Sequence, residues 1–335
     1  MKSKSNSNEN KFDLVLRPQL LNEYIGQSSL KENLKVYIGA ALLRNETLDH
    51  CLFYGPPGLG KTTLAYVIAN EMHAPIRCVS GPTIEKPGDL ASILCDLQAG
   101  EILFIDEIHR IPKIVEEILY QAMEDFCISL LINKETSAKT LNVDLQPFTL
   151  IGATTRAGDL SSPLRSRFGI NEKINFYTVE ELCLIVKRTA KVFDSTIDDN
   201  GALAIAKRSR GTPRVANKLF RRIRDFANFE GTNNVTIEHV KRGLNALKVD
   251  EKGLDEIDIK YLKTIILRFN GGPCGVEAIA HSIGEEVTNL MDVYEPYLLQ
   301  IGFINRTPKG RVATIKAYKH LNLPYHGWLF GLMRE

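Results

Sequence analysis

Hydrophobic and polar positions change their rhythm twice along the chain. From about residue 17 to 180, short apolar runs alternate with amphipathic stretches. The runs Cys51–Tyr54, Ile76–Val79, Ile102–Ile105 and Phe148–Ala153 predict strands. The stretches Leu30–Leu43, Thr62–Met72, Leu90–Asp96 and Ile114–Phe126 predict helices. Alternation of this kind predicts a parallel sheet wrapped by helices. From about 180 to 249 the pattern is purely helical, with breaks at Asp198-Asp199-Asn200-Gly201, Gly211-Thr212-Pro213 and Gly231-Thr232-Asn233-Asn234. An acidic connector, Asp250 to Asp258, leads into a third region. There, helices are predicted over Ile257–Phe269, Val276–Ile283 and Glu286–Leu299, the last distorted at Pro296. A hairpin of Gly302–Arg306 and Val312–Ala317 follows, turning through Thr307-Pro308-Lys309-Gly310. Three helices and a hairpin make a winged helix.

Composition narrows the class. A chain of 335 residues is comfortable for two or three domains, and 44% hydrophobic with 24% charged residues is ordinary for a soluble globular protein. The net charge is only +2, so a nucleic-acid binder of this composition must gather its basic residues locally. No apolar run approaches the roughly 18 residues of a membrane span. The first eleven residues are rich in Ser, Asn and Lys and lack the apolar core of a signal peptide, which predicts a disordered tail. Six cysteines are scattered without a C-x-x-C pair, which favours buried, reduced thiols over disulfides or zinc. Together these features predict a cytoplasmic protein.

The chemistry concentrates in the first region. Gly55-Pro56-Pro57-Gly58-Leu59-Gly60-Lys61-Thr62 fits the phosphate-binding P-loop pattern between a predicted strand and a predicted helix. Glycines such as Gly58 and Gly60 let backbone N–H groups point at phosphate oxygens, and the helix N-terminus adds partial positive charge. Lys61 is expected to pair with the β- and γ-phosphates of ATP, and Thr62 to ligate Mg²⁺. Leu103-Phe104-Ile105-Asp106-Glu107 is an apolar strand ending in two carboxylates. Beside a P-loop, Asp106 is expected to hold Mg²⁺ through water and Glu107 to orient the attacking water. Gly152-Ala153-Thr154-Thr155-Arg156 ends another strand, where a hydroxyl can reach the γ-phosphate or the water. Pro163-Leu164-Arg165-Ser166-Arg167-Phe168 carries arginines able to stabilise charge on a transferring phosphoryl group.

In this order, these segments resemble an AAA+ ATPase, and in detail the RuvB family of Holliday-junction branch-migration motors. The likeness runs from about Leu16 to Lys319. It is carried by Leu16-Arg17-Pro18, Glu23-Tyr24-Ile25-Gly26-Gln27, Gly55 to Thr63, Phe104 to Arg110, Pro147 to Gly158, Arg210 to Asn217 and Gly302 to Arg311. The resemblance implies an α/β AAA+ P-loop domain at 16–178, a small all-α lid at 179–249 and a winged-helix DNA-binding domain at 250–320. A disordered tail at 1–15 and a divergent tail at 321–335 flank them. It implies an adenine pocket of Leu16, Arg17, Tyr24 and Ile25 closed by Tyr177, with Thr63 completing the P-loop. It also implies Thr154 as first sensor, Arg167 as an arginine finger offered to the neighbouring subunit, and Arg214 as second sensor. The family assembles as hexamers around duplex DNA. Two such rings flank a RuvA-type partner at the Holliday junction, and a RuvC-type resolvase joins the system. The partner is expected at the hairpin 128–145. Here Leu130 to Lys139 lacks the family's glycines and has a more polar tip, and Gln146-Pro147-Phe148 replaces Pro-Pro-Phe. The tail with Trp328, Leu329, Phe330 and Leu332 also departs.

Charge suggests where DNA lies. The third helix of the winged helix carries Glu285, Glu286, Asp292 and Glu295, which face phosphates badly. The wing has Arg306, Lys309 and Arg311 at one tight turn, with Lys316 and Lys319 after it. Arg306 and Arg311 are therefore the expected DNA contacts, aimed at phosphates and tolerant of sequence. Lys218, Arg221, Arg222 and Arg224 fall opposite the apolar face Val215, Leu219, Ile223 and Phe226, which reads as a solvated surface. The competing function is an ATP-dependent DNA-binding regulator or another AAA+ remodelling ATPase. The acidic third helix argues against an operator reader.

Overall fold

The computed structural model describes residues 15–134 and 137–325. The expected N-terminal tail up to residue 14, the hairpin tip Glu135-Thr136 and the apolar tail residues from Trp328 on lie outside them. The chain forms two compact units, the first ending at Leu184 and the second starting at Ile185.

The strands of the first unit are β1 (Cys51–Tyr54), β2 (Ile76–Ser80), β3 (Ile102–Asp106), β4 (Cys127–Lys134), β5 (Ser137–Asp144), β6 (Thr149–Thr154) and β7 (Ile170–Lys173). Five of them form one parallel sheet in the order β2-β3-β6-β1-β7. Every residue of β6 is buried, as are residues 102–105 of β3. This is why those strands read as unbroken apolar runs. The edge strand β7 was not anticipated; its sequence Ile-Asn-Glu-Lys has one apolar residue, and only Ile170 is buried. The register sets Tyr54 beside Thr154 and Ile105 beside Gly152. The carboxyl ends of β1, β6 and β3 thus share one edge of the sheet, where open α/β sheets bind ligands.

Helix Lys113–Asp125 leads through Phe126, in the left-handed conformation (φ 47°), into the antiparallel hairpin of β4 and β5. Gln121 ties it to the hairpin base: its Nε2 donates to Ser129 Oγ at 3.0 Å, and its Oε1 accepts from Ser129 N at 3.3 Å.

The second unit contains the helices Asp199–Lys207, Pro213–Phe229 and Ile237–Ala246. The third of these packs against the second through Gly243, where a Cβ would lie 2.7 Å from Ile223 Cγ1. Leu219 and Ile223 of the long helix are buried, together with Ala216, Phe220 and Ala227, while Val215 and Phe226 are half-buried. The lid also holds a parallel pair of two-residue strands, β8 (Thr196–Ile197) and β9 (Asn234–Val235), too short to show as periodicity.

The winged helix follows. Its first helix, Glu256–Lys263, widens into a π turn at Thr264–Arg268, and its second is Val276–Ile283. The third is broken as expected: Val287–Asn289, a π turn at Leu290–Tyr294, then Glu295–Gln300, with Pro296 unable to donate a backbone hydrogen bond. The wing is β10 (Ile304–Thr307) and β11 (Gly310–Ala313), turning at Pro308-Lys309. One expectation is corrected here: the second strand stops at Ala313, and Ile315–His320 is a helix. Thr314 ends the strand by donating its N–H to Phe303 O at 2.9 Å and its hydroxyl to Gly302 O at 2.6 Å. The helix after it buries Ala317 and Tyr318.

Arg210 braces the lid to the connector and the winged helix. Its Nε donates to Gly253 O at 2.7 Å, and its Nη2 pairs with Asp255 Oδ2 at 3.1 Å and with the fully buried Asp258. Burial pushes the Asp258 carboxyl up to about 7 against the pull of Arg210.

None of the six cysteines, all among the described residues, forms a disulfide; Cys51 and Cys274 are buried, whereas Cys78 and Cys95 are exposed, against the expectation of burial. Among the described residues no helix is long and apolar enough to cross a membrane.

Candidate functional site

β1 runs directly into the glycine loop, and helix Lys61–Glu71 starts where the loop ends. Gly55, Gly58 and Gly60 have φ of 144°, 79° and 92°. A Cβ on Gly55 would lie 2.6 Å from Ile174 O, and one on Gly60 would lie 3.0 Å from the Tyr24 hydroxyl, so the loop leaves no room for side chains there. Lys61 is 8% exposed, and its Nζ donates to Gly55 O at 2.7 Å and Pro56 O at 2.9 Å. Burial depresses the Lys61 ammonium to about 8, partly offset by Asp106 and Glu107. Thr62 and Thr63 follow in the first turn, both half-buried.

Tyr24 and Tyr177 are buried, and their hydroxyls meet at the P-loop. Tyr177 Oη donates toward Tyr24 Oη at 3.1 Å, and both lie close to Leu59 O, at 3.3 and 3.4 Å. Burial raises both hydroxyls, Tyr24 to about 12, so both remain protonated donors. Sequence reasoning took these rings as walls of a base pocket; their grip on the P-loop carbonyl was not foreseen. Leu16 is buried and Ile25 half-buried. Arg17 lies 4.3 Å over the Tyr66 ring, with Nη1 buried and without a hydrogen-bond partner among the described residues. That donor, the glycine cradle and the helix N-terminus fit an anionic nucleotide.

Asp106 ends β3, and its Oδ1 accepts from Glu107 N at 2.9 Å. Glu107 adopts the left-handed conformation (φ 49°) and accepts from Arg110 Nη1 at 3.0 Å. Gly81, after β2, permits this turn, since a Cβ there would collide with the Glu107 carbonyl oxygen. Thr154 at the end of β6 is 1% exposed. Its Oγ1 accepts from Arg156 N at 2.9 Å and lies 2.9 Å from His109 Nδ1. Burial lowers the His109 pKa against Glu107 and Asp159, favouring a neutral ring able to accept the Thr154 hydroxyl hydrogen. The sequence alone assigned no role to His109, Arg110 or Gly81. The spacing of Glu107 and Arg110 at i,i+3 was a usable signal.

Arg167 follows helix Ser162–Ser166, and its partners lie on helix Lys113–Asp125. Its Nη2 donates to Tyr120 Oη at 2.6 Å and pairs with Glu124 Oε1 at 2.5 Å. Arg214 belongs to the second unit, exposed in the first turn of Pro213–Phe229.

The wing arginines differ from the sequence picture. Glu295, counted there as a carboxylate repelling phosphates, is fully buried. It accepts from Tyr261 Oη at 2.7 Å, Arg306 Nε at 2.9 Å and Arg311 Nε at 2.8 Å. Burial would raise its pKa, but the bonds from Arg311, Tyr261 and Arg306 outweigh burial and hold it below the usual carboxylate value. Arg311 is 14% exposed and Arg306 45% exposed. The two charges expected to meet phosphates thus turn inward, Arg311 more than Arg306. Lys309, Lys316 and Lys319 are exposed.

Comparison with known proteins gives one answer along the chain. Residues 16–174 match the family model of the Holliday junction DNA helicase RuvB P-loop domain. Residues 177–250 match the RuvB AAA lid domain, and 251–322 the RuvB C-terminal winged helix domain. The solved Thermotoga maritima RuvB, described as a Holliday junction branch migration motor, is 51% identical. It covers 93% of this chain and 99% of its own, with a TM-score of 0.85. Two mutants of that protein align over 92% of this chain and 99% of theirs, at 51% and 52% identity, each with a TM-score of 0.86.

Proposed function

Since the chain belongs to the RuvB family of Holliday-junction branch-migration motors, an ATP-hydrolysing family, we propose that it translocates duplex DNA as a hexameric ring. In this reading the ring draws DNA through a junction held by a RuvA-type partner, which docks on the hairpin 128–145, while a RuvC-type resolvase acts in the same assembly. The domain limits at 178, 249 and 320 belong to the same proposal.

One observation carries it: adjacent parallel strands end in the P-loop, in Asp106-Glu107 and in Thr154. Lys61 reaches the phosphates once its bonds to Gly55 and Pro56 are exchanged for phosphate oxygens. Glu107, steadied by Arg110, orients the water, and Thr154 reads the γ-phosphate by turning its hydroxyl hydrogen from His109 to a phosphate oxygen. Thr62 and Asp106 offer the oxygen donors that Mg²⁺ takes, and bound Mg²⁺ would neutralise phosphate charge. Leu16, Arg17, Tyr24, Ile25 and Tyr177 hold the nucleotide's base end. Arg167 is given to the neighbouring subunit's nucleotide, and Arg214 senses nucleotide from the lid. Arg306 faces the phosphate backbone, and Arg311 supports it through the Glu295 carboxylate that both bond.

The test is a branch-migration assay on a synthetic four-way junction, with and without a RuvA-type protein. ATP-dependent strand exchange of arbitrary sequence, increased by the partner, is expected. ATP hydrolysis indifferent to DNA, with no migration, would refute the motor.

A further inference from the structure

An arginine that must act on a neighbouring subunit has a problem of delivery. Its side chain has many rotamers, and freezing them at the moment of reaction is costly. Arg167 does not hang free. Its guanidinium carbon sits 4.7 Å from the centre of the Tyr120 ring, and Nη2 bonds both the Tyr120 hydroxyl and Glu124. Tyr120 and Glu124 lie one turn apart on helix Lys113–Asp125, so they present one face to the arginine. Both polar contacts fall on Nη2, and neither engages Nη1.

These contacts do little for the fold. Arg167 and Glu124 are 34% and 37% exposed, and ion pairs so open to water add little stability. The two holders also differ in kind. A carboxylate competes with phosphate for the guanidinium, so the Glu124 bond has to yield as the finger engages. Tyr120 is neutral and can keep its ring and hydroxyl on the arginine without cancelling its charge.

We propose that Tyr120 is a positioning residue for Arg167, holding the finger extended on the donor subunit, with Glu124 as a second, releasable support. The proposal rests on the reading of Arg167 as a finger acting in trans.

The test uses full-length protein and mixed rings, their formation verified by native mass spectrometry. Tyr120→Leu alone should lower ATP turnover about a hundredfold, as a displaced catalytic group does, with nucleotide affinity and amide exchange in helix Lys113–Asp125 unchanged. Tyr120→Phe, which keeps the ring face, should recover part of the loss. Mixing Tyr120→Leu with Lys61→Ala should restore activity, because the latter donates an intact finger to an intact P-loop. Mixing Tyr120→Leu with Arg167→Ala should restore nothing, because neither subunit donates a supported finger. Near-normal turnover of Tyr120→Leu, or recovery with Arg167→Ala, overturns the proposal. If Arg167→Ala and Lys61→Ala complement each other while Tyr120→Leu and Lys61→Ala do not, the role of Tyr120 alone falls. If Arg167→Ala and Lys61→Ala fail to complement, the trans finger falls and the proposal with it.

Discussion

Replacing Arg311 by Ala should unfold the wing's support before it tests any contact with DNA. Arg311 is 14% exposed and gives Glu295 two bonds, Nε at 2.8 Å and Nη2 at 3.2 Å. Glu295 has no exposure of its own. Removing one partner of a buried pair costs about 3–5 kcal/mol, because the remaining charge stays desolvated. Arg306 and the Tyr261 hydroxyl remain as partners, which argues for the lower end, about 3 kcal/mol. Since 1.36 kcal/mol is tenfold, that loss should speed exchange of the protected amides in residues 287–300 roughly 150-fold. Hydrogen exchange is the right assay here, since the chain has several domains and a single melting temperature would blend them. Arg306→Ala, removing a half-exposed group, should change the same amides far less. The reasoning fails if Arg311→Ala leaves this exchange within threefold of the unmodified protein, or if Arg306→Ala matches it.

Other outcomes follow from the same residues. Lys61→Ala should lose nucleotide binding, while Glu107→Gln should bind ATP and not turn it over, because Glu107 acts on water only in the transition state; filter binding beside a phosphate-release assay separates them. Arg306→Ala should weaken duplex binding similarly for all sequences and reduce the log–log salt slope by roughly one, measured by fluorescence anisotropy. Loss at selected sequences alone would favour a regulator. Glu295 has a folded pKa below its ordinary 4.5, so its contribution to stability is present above 4.5 and lost as pH falls through the lower folded value. The stability difference between the unmodified protein and Glu295→Gln should therefore be flat from neutral pH to about 5 and shrink below that; a difference growing as the pH drops would reverse the assignment.

The sheet was legible because its strands are buried on both faces. Cys51, Leu52 and Phe53 have no exposure, and β6 is buried throughout. Such strands must be written in apolar residues, and the breaks after β1 and β2 open on glycine, Gly55 and Gly81. The same rule hid β7, an edge strand with Asn171, Glu172 and Lys173. The P-loop and the Asp106-Glu107 strand end were legible because phosphate binding demands particular residues at fixed spacing. Their supports were not. Gly81 acts through the space it leaves beside the Glu107 carbonyl, and His109 acts through Thr154, a residue 45 positions away. Periodicity carries neither kind of information.

Charge shows the gap most clearly. Along the sequence, an acidic third helix and a basic wing look like separate surfaces, one repelling DNA and the other drawing it in. In the fold, the arginines at 306 and 311 form one cluster around the buried Glu295 carboxylate. The same charges largely neutralise one another and cannot both repel DNA and draw it in. Two guanidinium groups against one carboxylate leave one net positive charge at the cluster. The weight of any phosphate contact then shifts to groups that remain in water, Arg306 in part and Lys309 at the tip of the turn. Arg311 and Glu295 still matter to that contact, because they fix the strands that carry it. A wing tied to the third helix by a buried carboxylate holds one place on the domain, whereas a loose basic loop would not.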